Sequence, residues 1–294
     1  MSGSNEKILA LTGINALYKN QDELVSLFHE TLKTGMHGIC FSHYLEGQQP
    51  GTQLTEDQIR ERIEIIKPYT NWVRTFSCTE GNELIPRIAH EKGLKTMVGA
   101  WLGTNEEINE REIANLIQLA KEGYADIIAI GNEVMYRGDL TEAELLVYIY
   151  RVKNEIPNIP VGYVDAYYEF ENRPNITKAC DIILANCYPF WEGCSIEYSL
   201  LYMKDMFNRA VKASGDKRVI ITETGWQSKG EEIYGAEHSV KNALIYFLNT
   251  QKWSKEEDID IFYFSSFDES WKISDEGDVG AYWGIWDKDE NLKF

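Results

Sequence analysis

Short apolar stretches and longer amphipathic ones alternate along this chain, eight times over, with no low-complexity linker between them. The short stretches are rich in β-branched and aromatic residues. They are "GICFSHY" (38–44), "WVRTFSC" (72–78), "KTMVGAW" (95–101), "DIIAIGNE" (126–133), "PVGYVDAY" (160–167), "DIILANCY" (181–188), "RVIITET" (218–224) and "DIFYFSSFDE" (260–269). The longer ones carry a helical period. In "TEDQIRERIEIIKPY", Ile59, Ile63 and Ile66 fall on one face. Thr55 followed by Gln58, and Thr141 followed by Glu144, have capping-box spacing, with Glu56 and Asp57 leaving the first cap position open. "NEREIANLIQLAKEGY" and "AEHSVKNALIYFLNT" are similar, and Gly93 and Gly123 stand where C-terminal caps belong.

This alternation predicts parallel strands joined by crossover helices. Runs such as "DIIAI" suit a sheet covered on both faces. Eight such units in roughly 250 residues are the size of a (β/α)8 TIM barrel, here a single catalytic domain over residues 36–294. A doubly wound open sheet is the alternative, but no glycine-rich phosphate fingerprint follows the early strands. Residues 1–35 are expected to be an N-terminal extension. Its segment 21–35 reads as a helix packing outside the barrel or across its N-terminal end.

Charge and composition narrow the partners. A formal net charge of −18 argues against a nucleic acid and is compatible with a neutral partner such as a sugar. No apolar stretch is long enough to span a membrane. The cysteines at 40, 78, 180, 187 and 194 lack metal-ligand spacing and read as buried free thiols. Residues 8–14 are apolar but too short and badly flanked for a signal peptide. The opening "MSGS" resembles a vector remnant. A secreted, cell-envelope or periplasmic location is therefore expected if an export signal has been removed, and a cytoplasmic one otherwise. Oligomeric state is not legible.

In a barrel of this kind the site lies at the C-terminal ends of the strands. Polar and aromatic residues gather there: His43, Tyr44 and Glu46; Trp101; Asn132 and Glu133; Asn186, Tyr188 and Trp191; Glu223 and Trp226; Asp268, Glu269, Trp271 and Lys272. The opposite ends show no such collection. Glu133 and Glu223 each directly follow an apolar strand, the fourth and the seventh, whose ends face each other across a barrel mouth. Two carboxyls about 5–5.5 Å apart are what a retaining glycosidase requires. One must be protonated to donate to the leaving oxygen, and the other ionised to attack the anomeric carbon. Trp101, Trp191, Trp226, Trp271 and Trp283 are candidate platforms for the apolar faces of sugar rings. Trp72 and Trp253 are assigned to structure. His43 suits either substrate binding or packing. There is no G-x-S-x-G elbow, no P-loop and no histidine pair at metal-ligand spacing, and "DKDEN" (287–291) lacks a calcium loop. No metal and no organic cofactor is expected.

"AIGNEV" (129–134) and "ITETGWQS" (221–228) resemble the signatures of glycoside hydrolase family 17, the family of β-1,3-glucanases and β-1,3-glucanosyltransferases. "SHYLEGQQP" (42–50) is similar to the first-strand motif of its fungal and bacterial members. "FDESWK" and "WGIWD" resemble its last strand and closing segment. The resemblance spans roughly residues 36–294. It implies a retaining hydrolase of laminarin-type β-1,3-glucan, with Glu133 as acid/base and Glu223 as nucleophile. It further implies that Asn132 binds the sugar 2-hydroxyl, that Tyr188 helps hold the nucleophile, and that Glu269 and Lys272 lie near the centre, with Glu276 a further acidic neighbour. Tyr44, Trp191, Trp226 and Trp271 complete the expected substrate-binding set. Phe76 departs from the tyrosine of many members, which removes one hydroxyl. Glucanosyl transfer by the same residues remains an alternative, as does a catalytically inactive carbohydrate-binding barrel.

Overall fold

The computed structural model describes residues 19–294, apart from the side chains of Asp275, Glu276 and Val279. The apolar run at 8–14 and the Glu276 side chain lie outside the described residues. Eight parallel strands close into a barrel in sequence order. They are β1 (Met36–Cys40), β2 (Thr70–Arg74), β3 (Lys95–Ala100), β4 (Ile127–Asn132), β5 (Val161–Ala166), β6 (Ile183–Asn186), β7 (Val219–Thr224) and β8 (Ile261–Tyr263). The expected strands are found, and most stop short of the predicted C-terminal ends. The residues beyond those ends are the loops that build the mouth.

A helix, α1 (Gln21–Lys33), precedes β1. Its N-terminus is closed by a capping box from Asn20 and Glu23. The main crossover helices are α2 (Glu56–Ile66), α3 (Leu84–Glu91), α4 (Glu106–Lys121), α5 (Glu142–Glu155), α6 (Pro174–Ala179), α7 (Ser199–Ser214) and α8 (Val240–Glu257). Thr55 and Thr141 cap α2 and α5 with their boxes complete. Gly93 and Gly123 take left-handed backbone (φ +82° and +85°) beyond the ends of α3 and α4. Ile59, Ile63 and Ile66 of α2 are fully buried.

Only short helical turns, at 270–281, follow β8. The outer ring is completed instead by α1, which packs outside the barrel against α8. Phe28 of α1 meets Phe247 of α8 and Phe294, with centroids 4.9 and 5.3 Å apart.

The N-terminal ends of the strands are more charged than expected. Asp126 lies immediately before β4, and Asp181 two residues before the start of β6. Each accepts a backbone N–H from the start of the preceding strand, Thr96 at 2.9 Å and Val161 at 3.1 Å. Asp260, before β8, pairs with His37 and Arg218. These carboxylates fasten strand starts together. No helix among the described residues is long and apolar enough to cross a membrane.

Candidate active site

Register irregularities shape the mouth. Between β4 and β5, the pairing runs from Ala129↔Gly162 to Asn132↔Val164. β4 therefore carries one residue more than its partner over that interval. β7 does the same against both neighbours: Ala185↔Ile221 is followed by Asn186↔Glu223, and Ile221↔Ile261 by Thr224↔Tyr263. An extra residue re-aims the side chains after it. On β7 it lets Thr222 and Glu223, adjacent in sequence, both reach polar partners at the mouth, Asn186 for the first and Arg74 and Tyr188 for the second. On β4, Gly131 adopts φ +74°. A Cβ there would meet Val134 Cγ2 at 2.6 Å. Glu133 itself sits in the left-handed region at φ +53°. That conformation costs about 1 kcal/mol or more for a side-chain-bearing residue, and such strain clusters at functional sites.

Glu133 and Glu223 line one cleft of about 670 Å³, together with Tyr136, Tyr167, Tyr168, Asn186, Tyr188, Trp191, Glu192, Phe264 and Trp283. Their surroundings differ. Glu223 is buried, and both its oxygens accept hydrogen bonds. Arg74 Nη1 donates to Oε1 at 2.7 Å, and the Tyr188 hydroxyl donates to Oε2 at 2.9 Å. That arrangement fits a carboxylate. Among the described residues Glu133 has a single hydrogen-bonding side-chain partner, the Asn186 amide, whose Nδ2 donates to Oε1 at 2.9 Å. Burial, and then the charge of Glu223, push Glu133 up to about 7 against the opposing Asn186 hydrogen bond. One group can give a proton near neutrality while the other stays clamped as an acceptor.

Two residues hold this arrangement that sequence reasoning passed over. Arg74, at the end of β2, also donates from Nη2 to Asn132 Oδ1 at 2.7 Å, so one guanidinium links β2, β4 and β7. It lies 4.2 Å over the ring of Phe76, the position expected to lack a hydroxyl. Asn186 accepts from Thr222 Oγ1 at 2.8 Å, which fixes its amide with the nitrogen towards Glu133. The available signal for Arg74 was a lone charge inside an apolar strand. Asn186 stood among the strand-end polar residues without a partner to give it a role.

The other expected residues fall into two groups. Tyr188 and Trp191 share the cleft with the glutamates, and Trp283 packs against both, with centroids 5.4 and 5.6 Å away. On the β1–β8 side, Lys272 pairs with Glu269 at 2.8 Å and lies 4.2 Å over the Phe264 ring. Tyr44 packs edge-on against Trp271 at 5.8 Å. The His43 ring lies tilted against Tyr44 with centroids 4.1 Å apart, and burial lowers it to about 4, so it is neutral at pH 7. Trp101 is outside the cleft, half covered by the Arg137 guanidinium at 4.4 Å.

Trp226 is not where the sequence placed it. Its indole is buried between Phe190 and Tyr246 of α8, and Nε1 donates to the Glu237 carbonyl at 2.9 Å. It packs the barrel against its outer helix and offers no face to a ligand. Thr224, the last residue of β7, also faces outwards, bonded to Tyr246, and Trp226 follows it to the same helix.

An eight-stranded parallel barrel whose fourth and seventh strands end in unequal glutamates within one aromatic cleft is the architecture of a (β/α)8 glycoside hydrolase. The chain matches the model of the BtgE/BtgC glycoside hydrolase domain over residues 38–284 and belongs to that family, within glycoside hydrolase family 17. A glucan 1,3-beta-glucosidase of Arthroderma benhamiae is 30% identical over 254 residues, 79% of this chain and 82% of the relative. The glycoside hydrolase family 17 beta-1,3-glucanosyltransferase of Rhizomucor miehei is also 30% identical, with TM-score 0.79 over 89% of this chain and 96% of that one. An active-site mutant of that enzyme has been solved with laminaritriose. A beta-glucuronidase of Bacteroides uniformis, 18% identical with TM-score 0.66 over 88% of this chain and 34% of that one, shares the fold.

Proposed function

We propose that this enzyme hydrolyses β-1,3-glucan with retention of configuration. The carrying observation is the contrast between the two glutamates of one cleft, with Glu133 raised to about 7 and Glu223 clamped by Arg74 and Tyr188. Glu223 attacks the anomeric carbon and forms a glycosyl-enzyme, while the leaving oxygen takes the proton of Glu133. Glu133 then removes a proton from water, whose oxygen displaces Glu223. Asn132, which accepts from Arg74, binds the sugar 2-hydroxyl in this reading. Trp191 and Trp283 offer ring faces along the cleft. Tyr44, Glu269, Trp271 and Lys272 form the wall for the other side of the scissile bond. The β-1,3 linkage is supported by the relatives, which include both glucosidases and a glucanosyltransferase.

Glucanosyl transfer is the second reading, favoured by the aromatic wall of Tyr136, Tyr168 and Trp191 near Glu133. An acceptor sugar stacked there would compete with water for the glycosyl-enzyme. Incubation with a short laminarin oligosaccharide, followed by chromatography and NMR of the new anomeric centres, separates the cases. Shorter products released as the β-anomer support hydrolysis with retention, and products longer than the substrate mark transfer. Release of the α-anomer, or no turnover of any β-1,3-glucan, would sink the proposal.

A further inference from the structure

Beneath the turn that carries Glu133, β5 presents two polar side chains on one face, Tyr163 and Asp165, both fully buried. The turn leads into a single helical turn, Val134–Arg137, which no side chain of its own caps. β5 supplies the missing acceptors. The Met135 N–H donates to the Tyr163 hydroxyl oxygen at 2.8 Å, and the Tyr136 N–H donates to Asp165 Oδ2 at 3.3 Å. The Tyr163 hydroxyl donates in turn to the same Asp165 oxygen. Asp165 Oδ1 accepts the Ala166 N–H at 2.8 Å. The Glu133 N–H donates to the Val164 carbonyl at 2.8 Å, so β5 holds the turn from both sides of the strand.

At Oδ2 these hydrogen bonds need an acceptor and not a charge, since an asparagine oxygen would serve Tyr163 and Tyr136 equally, with only the Ala166 N–H at Oδ1 losing its acceptor. Burying a carboxylate without a cation is costly. The partners of Asp165 among the described residues are N–H groups and a hydroxyl. Its charged neighbour on the following helical turn is Glu169, which only adds repulsion. Burial raises Asp165 to about 6, so it carries its charge at neutral pH and above.

Glu133 is faced by Glu223 from β7, Asn186 and Tyr188 from the β6 end, and Arg137 from its own helical turn. Arg137 is committed elsewhere, to Asp139 and to the carbonyls of Asn132 and Leu102. The charge of Asp165 from below and that of Glu223 across the cleft both favour the neutral form of Glu133.

We propose that Asp165 is a positioning residue for the proton donor. Through Tyr163 it fixes the left-handed turn, and its buried negative charge keeps the proton on Glu133. This rests on reading Glu133 as the acid/base.

The test is the pH profile of kcat/KM on a laminarin oligosaccharide for the wild type, Glu133→Gln, Asp165→Asn and Tyr163→Phe. Wild-type activity should fall on the basic side through pH about 7, where Glu133 loses its proton. Glu133→Gln removes that limb, and a limb surviving there overturns the acid/base reading itself. Asp165→Asn keeps the acceptor for Tyr163 and Tyr136 and removes the charge, so the limb moves down by roughly half to one pH unit with KM little changed. A limb abolished by Glu133→Gln yet unmoved by Asp165→Asn overturns the Asp165 proposal alone. Tyr163→Phe cuts the bridge to the turn, so kcat falls roughly tenfold. Should Asp165→Asn fail to fold, an unchanged kcat in Tyr163→Phe overturns the proposal.

Discussion

The ends of β4 and β7 carry the same side chain in opposite circumstances. At β7, Glu223 is set into a ready-made clamp, with a buried guanidinium on one oxygen and a tyrosine hydroxyl on the other. At β4, Glu133 is itself in the left-handed conformation, with an amide for a partner and a second carboxylate facing it. The first site stabilises charge and the second resists it. Identical carboxyls thus take up different chemistry through their neighbours, and the same isosteric substitution should have different consequences at the two strand ends.

The largest effect is expected on turnover. Glu223→Gln should lower kcat on laminarin by on the order of 10^4-fold or more, because the covalent route is lost. Glu133→Gln should lose ~10^2–10^4-fold on the same substrate. It should lose far less on an aryl glucoside with a good leaving group, which does not need the proton. Equal losses on both substrates would erase the distinction between the two glutamates.

Stability should move in opposite directions. Glu223→Gln leaves the Arg74 guanidinium buried without its anion and should cost about 3 kcal/mol in denaturant unfolding. Glu133 is raised from an ordinary 4.5 to about 7 in the fold. Its protonated form is favoured there, so stability is lost as pH rises from 4.5 through 7. A glutamine pays no such cost, so Glu133→Gln should gain on the order of 1–3 kcal/mol at pH 8 and almost nothing at pH 4. A loss for Glu133→Gln at pH 8 would contradict the contrast.

The smallest effect sharpens it. The Asn186 amide hydrogen bond favours the charged form of Glu133. Asn186→Ala should therefore move the basic limb of the kcat/KM profile upwards, the reverse of Asp165→Asn. A downward movement would show that Asn186 acts otherwise.

Much of the fold was legible because its signals are local. Capping boxes at Thr55 and Thr141, the apolar face of α2 and the glycines after α3 and α4 depend on residues within a few positions of one another. The strand-end glutamates stood out for the same reason, as charges closing apolar runs. Trp226 misled because a strand-end aromatic looks alike in sequence whether it turns to the mouth or to the outer helix. Arg74 and Asn186 were passed over because their partners lie 149 and 53 residues away.

The sequence by itself determined the barrel, the strands that matter and the two carboxyls that end them. Periodicity and capping are chemistry between near neighbours, and a single chain displays them in full. Only the tertiary structure decided how those carboxyls differ. The extra residue in β4 and in β7 exists only relative to the strands alongside, since register is a property of a pair. The clamp on Glu223 and the crowding of Glu133 arise where groups from β2, β5 and β6 converge on them. Such convergence is created by closing the sheet into a barrel, which brings distant charges within hydrogen-bonding reach and out of water.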